Sequence, residues 1–218
     1  MSIANPRLPA KPVPVGDFAS LAQEHMSDES PVSGIVVSDT CLREEDVQAL
    51  EVRSSVFREC SFSHCHFEKA VFVDVVFRNC DLSNSKFRSA YFERCRFESC
   101  KLIGIDMSDT RIKNVVFQET RLQYACFDKT KMTDVHFDQT DFTEASVIEA
   151  SLKQFTAVDT KFLRNNFYKT SLAGIDFTRC EFAAPVVSMP PVELKGAILN
   201  PYQAADLIGL WGIIVKND

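Results

Sequence analysis

The chain has 218 residues, 45% apolar and 25% charged, an ordinary balance for one folded domain with modest extensions. Only 7 Gly argues against a fold built on glycine-rich phosphate loops, and 18 Phe beside 1 Trp and 4 Tyr argues for one bulky side chain stacked repeatedly. The net charge of −6 sits in residues 1–51, with 3 basic and 9 acidic side chains, whereas residues 52–182 carry 19 and 18, so no basic footprint for direct nucleic-acid binding is present.

Residues 1–39 read as an N-terminal extension. No signal peptide is visible in MSIANPRLPAKPVPV, and no apolar run approaches the ~20 residues of a membrane span. The expected location is cytoplasmic, with no membrane partner. Pro6, Pro9, Pro12 and Pro14 make residues 1–16 disordered or extended. Asp17 then opens a candidate short helix with Phe18, Leu21, Ala22 and Met26 on one face. Ile35, Val36 and Val37 suit the first coils of the repeat region. Leu42, Val47 and Val52 keep its phase, placing the start near residue 40, with REEDVQAL a helical cap as the alternative.

An internal repeat dominates the middle. From residue 57 to 182 every position ending in 7 or 2 is bulky and apolar except Ala157, and 16 of the 18 Phe lie on that series. Two residues earlier the side chain is mostly small, as at Cys60, Cys65, Ala70, Cys80, Ser85 and Ala90. A step of five scatters around a helix and flips faces on a straight strand. Both difficulties vanish if the chain turns a corner every five residues. Four sides then close a square coil of twenty residues, and coils stack at about 4.8 Å. The repeat predicts an all-β quadrilateral solenoid of about six to seven coils over residues 40–192. Phe155 pairs with Ala157 on one side, a large–small exchange that roughly conserves core volume.

Cys60, His64, Cys65 and His66 have the composition of a metal cluster. In a square coil the cysteines point inward and the histidines outward, so no metal or cofactor is expected. Six of the 8 Cys take the small inward position, as compact apolar side chains. Signature motifs of hydrolases, P-loop proteins, zinc proteases and dinucleotide enzymes are absent, so catalysis is not expected. Val56, Val71, Val73, Val76 and Tyr91 form an outward apolar surface, either covered by the N-terminal segment or open to a partner.

At the far end, Asn200 and Pro201 are a helix start, and Ala204, Leu207, Ile208 and Trp211 come after them at helical spacing. Gly209 and Gly212 end that helix, and Ile213, Ile214 and Val215 make a short terminal strand. One short helix cannot bury both Leu207 and Trp211 on its own last coil. A homodimer through Leu207, Ile208, Trp211 and Ile213 of residues 193–218 is therefore expected.

The stretch VFRECSFSHCHFEKAVF (residues 56–72) and the tail LKGAILNPYQAADLIGLWGIIV (residues 194–215) resemble the pentapeptide-repeat family, and within it the Qnr-type quinolone-resistance branch. That resemblance implies a right-handed coil, a rod-like dimer imitating duplex DNA, and binding to DNA gyrase or topoisomerase IV that shields the enzyme from quinolones. Acids that would face such an enzyme are Asp106 and Asp109 on one side and Asp138 and Asp159 on another, joined by Glu44, Glu45 and Asp46. The alternative is an interaction scaffold with an unrelated partner. A continuous acidic stripe favours the mimic; a mixed-charge surface with an open apolar patch favours the scaffold.

Overall fold

The computed structural model describes residues 3–214, the side chain of Trp211 excepted. The backbone turns a corner at positions ending in 4 and 9, where residue after residue takes a left-handed conformation: Glu59 (φ 55°), His64 (59°), Lys69 (61°), Asp74 (60°), Asn79 (52°). Few of these are glycine, although the conformation is unfavourable for other L-residues. Pairing between coils holds them there. Phe62 N–H donates to Asp81 O (2.7 Å) and Asp81 N–H to Cys60 O (2.9 Å), and the same exchange recurs one side later through Phe67, Lys86 and Cys65.

All pairing is parallel, and through the body of the rod partners are twenty residues apart: Val52 faces Phe72, then Phe92, Ile112, Met132 and Leu152. We number the sides from 70–73 (side I), 75–78 (side II), 80–83 (side III) and 85–88 (side IV), with equivalents every twenty residues. Identical side chains therefore stack. Phe57, Phe77, Phe97 and Phe117 form a column with ring centroids 5.1, 4.9 and 4.9 Å apart and nearly parallel planes, and Phe72–Phe92 and Phe67–Phe87 stack likewise. Offset parallel stacking at this spacing adds to the burial of each ring.

The small inward residues do more than fill space. Most Cys, Ser and Thr residues there point their polar atom at the carbonyl of a bulky residue in the coil before. Cys80 Sγ lies 3.6 Å from Phe57 O, Cys95 Sγ 3.4 Å from Phe72 O, and Thr140 Oγ1 3.1 Å from Phe117 O. Ser85 and Asn165 donate to Phe62 O and Phe142 O in the same way. Thr120 and Thr140 also bond each other across coils at 3.0 Å.

At Phe155 the column breaks. Phe137 turns 73° out of the stack, Phe155 packs on it at 5.1 Å, and Leu152 and Ala157 are only partly buried. The large–small exchange leaves an apolar void of about 10 Å³ beside Phe142 and Phe162. It is at the lower limit for one water and lacks polar partners, so it stays dry.

The solenoid has about nine turns rather than six to seven, roughly 40 Å of stacked coils. The extra turns come from both flanks. Val13–Val15 pairs with Ile35–Val37, which continues into Val56–Phe57. Residues 41–50 continue the coil, with Leu42, Val47 and Leu50 buried, rather than forming a helical cap. At the far end Asp176 pairs with Ile198, twenty-two residues on, so the last turn accommodates two extra residues. The sequence repeat fades in these turns because inserted residues shift the phase while the pairing persists.

Each end is plugged by a helix. Helix α1 (Phe18–Ser27) starts at Asp17, whose carboxylate accepts from Ser20 N–H, and sets Phe18 edge-on to Phe57 at 5.1 Å. Helix α2 (Pro201–Ile208) opens with a capping box between Asn200 and Gln203. Gln203 Nε2 also donates to Phe177 O and Cys180 O, tying α2 to the last turn, and Leu207 is buried there. Gly212 takes a left-handed end conformation (φ 72°). Ile213 and Ile214 form no strand, and Val215 lies outside the described residues.

Candidate functional site

The stacking that aligns Phe inside aligns charges outside. Arg78 pairs with Glu98, Lys101 with Asp81, Lys113 with Glu93, Arg164 with Glu144, Lys169 with Glu149 and Arg179 with Asp159, every pair joining equivalent positions of adjacent coils. Exposed pairs of this kind contribute little stability each. Their effect is on the surface, which they neutralise coil by coil. Arg94 and Asp74 differ, being nearly buried and bidentate at 2.7 and 2.9 Å. Burial opposes the Asp74 charge, but hydrogen bonds from Arg94 and from Arg7 N–H outweigh it and hold the carboxyl below its usual range.

Two regions are only partly paired. Side I carries Arg111, Lys131 and Lys153, which have no ion-pair partner among the described residues. At the corner between sides II and III run Glu98, Glu119, Asp138 and Asp159, one per coil, with Asp138 half-buried and Glu119 and Asp159 exposed. Glu119 accepts from Ser99 Oγ, and Asp159 and Glu98 are the ones paired above. Asp138 and Asp159 thus share an edge, and Glu98 and Glu119, which the sequence reading did not select, complete it. Asp106 and Asp109 lie elsewhere, on side IV and at its corner with side I. Asp106 is engaged by Ser108 N–H and Oγ at 2.9 and 2.6 Å, while Asp109 is exposed. Glu44 is exposed at a corner near the first turns beside Arg43, and Asp46 accepts from Gln48.

The early apolar surface is covered. Val56, Val73 and Val76 are 4%, 6% and 4% exposed, and Val71 and Tyr91 are half-buried. Residues 3–12 run along the rod outside these coils, with contacts from Pro9 near Gly34 down to Ala4 at Asn114. At the other end large apolar side chains are exposed: Val186, Met189, Val192, Ile198, Tyr202, Ile213 and Ile214. Of the expected dimer residues, Leu207 is buried in its own protomer, Ile208 is half-buried and Ile213 is exposed; the Trp211 side chain lies outside the described residues.

Cys60 and Cys65 point into the core while His64 meets Asn84 and His66 meets Glu68 outside, so these four do not converge. One side chain missed by the sequence reading is Glu193, fully buried in the last turn. It accepts from Ser188 Oγ and N–H and from Lys169 N–H at 2.6, 3.0 and 2.8 Å. Burial works against its charge, and these bonds more than offset that, lowering its pKa.

A family model described as a pentapeptide repeat region matches residues 70–132. Comparison with curated proteins finds no match. Among solved structures, a trypsin-treated form of QnrB1, described as a plasmid-mediated fluoroquinolone resistance protein, is similar with a TM-score of 0.52 at 21% identity, over 85% of this chain and 91% of that one. HetL, a pentapeptide repeat protein involved in heterocyst differentiation regulation from the cyanobacterium Nostoc, gives a TM-score of 0.40 at 18% identity, over 85% and 97%. Repeat, square coil and fold together define this chain as a quadrilateral β-solenoid with a five-residue repeat, part of which matches the pentapeptide repeat region. Its fold is that of QnrB1. Among the described residues no helix is long and apolar enough to cross a membrane.

All eight cysteines are unbonded, and only Cys41 is exposed. Burial pushes Cys95 up to about 12, and contact with the Cys100 thiol, opposed by Cys60, together with burial pushes Cys80 to about 12. The thiolate is the reactive form, so these side chains are inert while folded. Titration with a chromogenic disulfide should therefore find one fast thiol in native protein and eight after unfolding without reductant. A total of six or fewer would show that stacked cysteines are bonded.

Proposed function

We propose that the protein is a non-enzymatic binder that docks as a rod in the DNA-binding saddle of DNA gyrase or topoisomerase IV, in the manner of a DNA mimic. Its likeness in fold to a fluoroquinolone resistance protein supports the reading. The observation that carries it is the edge of Glu98, Glu119, Asp138 and Asp159, which sets carboxylates along the rod axis at coil spacing. A saddle that binds duplex DNA draws most of its affinity from phosphate charge, so a mimic must offer aligned acids. Asp109 and the acids near the first turns add to the charge at its flanks.

The rod works as a homodimer in this reading, joined at its C-terminal ends. The exposed Tyr202, Met189, Ile213 and Ile214 there supply the apolar contact that a lone protomer leaves in water, beside the half-buried Ile208. Leu207 supports α2 from within. Light scattering should give twice the mass of one chain, and Ile213→Asp or Trp211→Asp should give monomer. A dimer unchanged in both variants would put the interface elsewhere.

The coil-by-coil ion pairing favours a second reading, an interaction scaffold whose partner is unrelated to topoisomerases. It mixes both charges on side III and at the corners flanking side IV and leaves side I basic. Supercoiling assays separate the two. Micromolar protein should inhibit gyrase or relieve its inhibition by ciprofloxacin, and added salt should weaken the effect. Glu119→Lys with Asp138→Lys should abolish it without lowering thermal stability. No effect on gyrase or topoisomerase IV at low salt leaves the scaffold.

A further inference from the structure

The arm formed by residues 3–12 occupies a groove along the corner between sides I and II. Three polar contacts hold its backbone and one side chain. Arg7 N–H donates to Asp74 Oδ1 (2.9 Å), Ala4 N–H donates to Asn114 Oδ1 (3.2 Å), and Arg96 Nη2 donates to Asn5 Oδ1 (2.6 Å). Most arm side chains stay in solvent, Leu8 among them. The apolar surface withdrawn from water is the rod's, at Val56, Val73 and Val76, and little of it is the arm's. The groove therefore recognises an extended backbone, and it holds this one by few contacts.

One contact is mismatched. Arg96 Nη1 is buried and has no acceptor among the described residues, and the carboxylate nearest on its own strand, Glu98, is engaged by Arg78. Burial lowers the pKa of this guanidinium, as expected for a cation short of partners. The Asn5 amide offers its oxygen to one limb of the fork only. A carboxylate in that place would meet both nitrogens, the pairing for which guanidinium geometry is suited. The groove also continues beyond Ile3, between Val116, Asp134, His136, Gln154 and Thr156.

We propose that this groove is a docking site for an extended segment of a partner protein that carries Asp or Glu where Asn5 now sits, and that the N-terminal arm is its resident competitor. Such a segment gains the Arg96 fork, and it keeps the apolar strip covered as the arm leaves. The site stands apart from the acidic edge, and the proposal holds whichever partner that edge binds.

Trypsin reports arm release in the full-length protein, because Arg7–Leu8 is cleavable while Lys11 is followed by Pro12. A synthetic peptide of residues 1–12 carrying Asn5→Asp and Arg7→Gln should speed cleavage at Arg7–Leu8 as it displaces the arm. The same peptide retaining Asn5 should need about tenfold more for the same effect. Arg96→Lys, which keeps the charge and loses the fork, should erase the difference between the peptides with an unchanged melting temperature. Asn5→Asp in the protein itself should slow the cleavage. Cleavage insensitive to peptide, or equal response to both peptides, overturns the proposal. Protection of Arg7–Leu8 that rises with protein concentration assigns the groove to the arm of a second copy and overturns it too.

Discussion

A corner every fifth residue is the constraint on which the rest of this molecule depends. Nearly every corner places one residue in the left-handed region, an arrangement unfavourable for Glu59, Lys69 or Tyr124 taken alone. Repeated without insertion, it brings position n over position n + 20, so every coil is a template for the next. Parallel pairing and stacked Phe then supply what the corners cost. Because coils contact only their neighbours, stability accumulates along the rod and both ends need covers. Helices α1 and α2 provide them, with Phe18 and Leu207 as plugs.

The same register governs the surface. Like positions meet across coils, so opposite charges at equivalent positions are attracted and like charges repelled at close range. On side III and at the corners that flank side IV, ion pairs between neighbouring coils resolve this. The edge of Glu98, Glu119, Asp138 and Asp159 sets acids close on successive coils, relieved by Arg78 and Arg179 at its two ends. An acidic line retained against such repulsion is where a function by charge is best sought. The arm over Val56 and Val76 solves a different problem, since apolar outward positions in stacked coils merge into a continuous strip.

The inward series was legible because bulk at every fifth position has no other economical explanation, and the column of Phe57 to Phe117 is its direct consequence. The corners were not legible. Glu, Lys, Gln and Tyr at left-handed positions carry no turn signature, so the period alone revealed them. The first and last turns were lost for a related reason: partners twenty-two residues apart, as at Val13 and Ile35, break a pattern searched at twenty. Cysteines were read as small apolar fillers, whereas they also donate to carbonyls of the preceding coil, a role that only the twenty-three-residue offset exposes. For the site, Asp138 and Asp159 could be chosen from spacing. Glu98 and Glu119 stand two coils before Asp138 and Asp159 in the same phases, one on a side and one at a corner, so the same spacing also contained them, whereas the seat of the arm on Asp74 and Arg96 lies many residues from the arm in sequence.

The register itself is the claim on which everything rests, and insertion tests it directly. Thermal unfolding should be compared for the protein, for a variant with residues 91–110 duplicated, and for a variant with one alanine inserted between Ser99 and Cys100. The duplication adds a whole coil with the phase intact, so it should unfold in one transition at or above the original midpoint. The single insertion turns an inward side chain outward and breaks one pairing side, which should cost several kcal/mol and lower the midpoint by roughly 10 °C or more. Equal stability of the two variants would contradict the account.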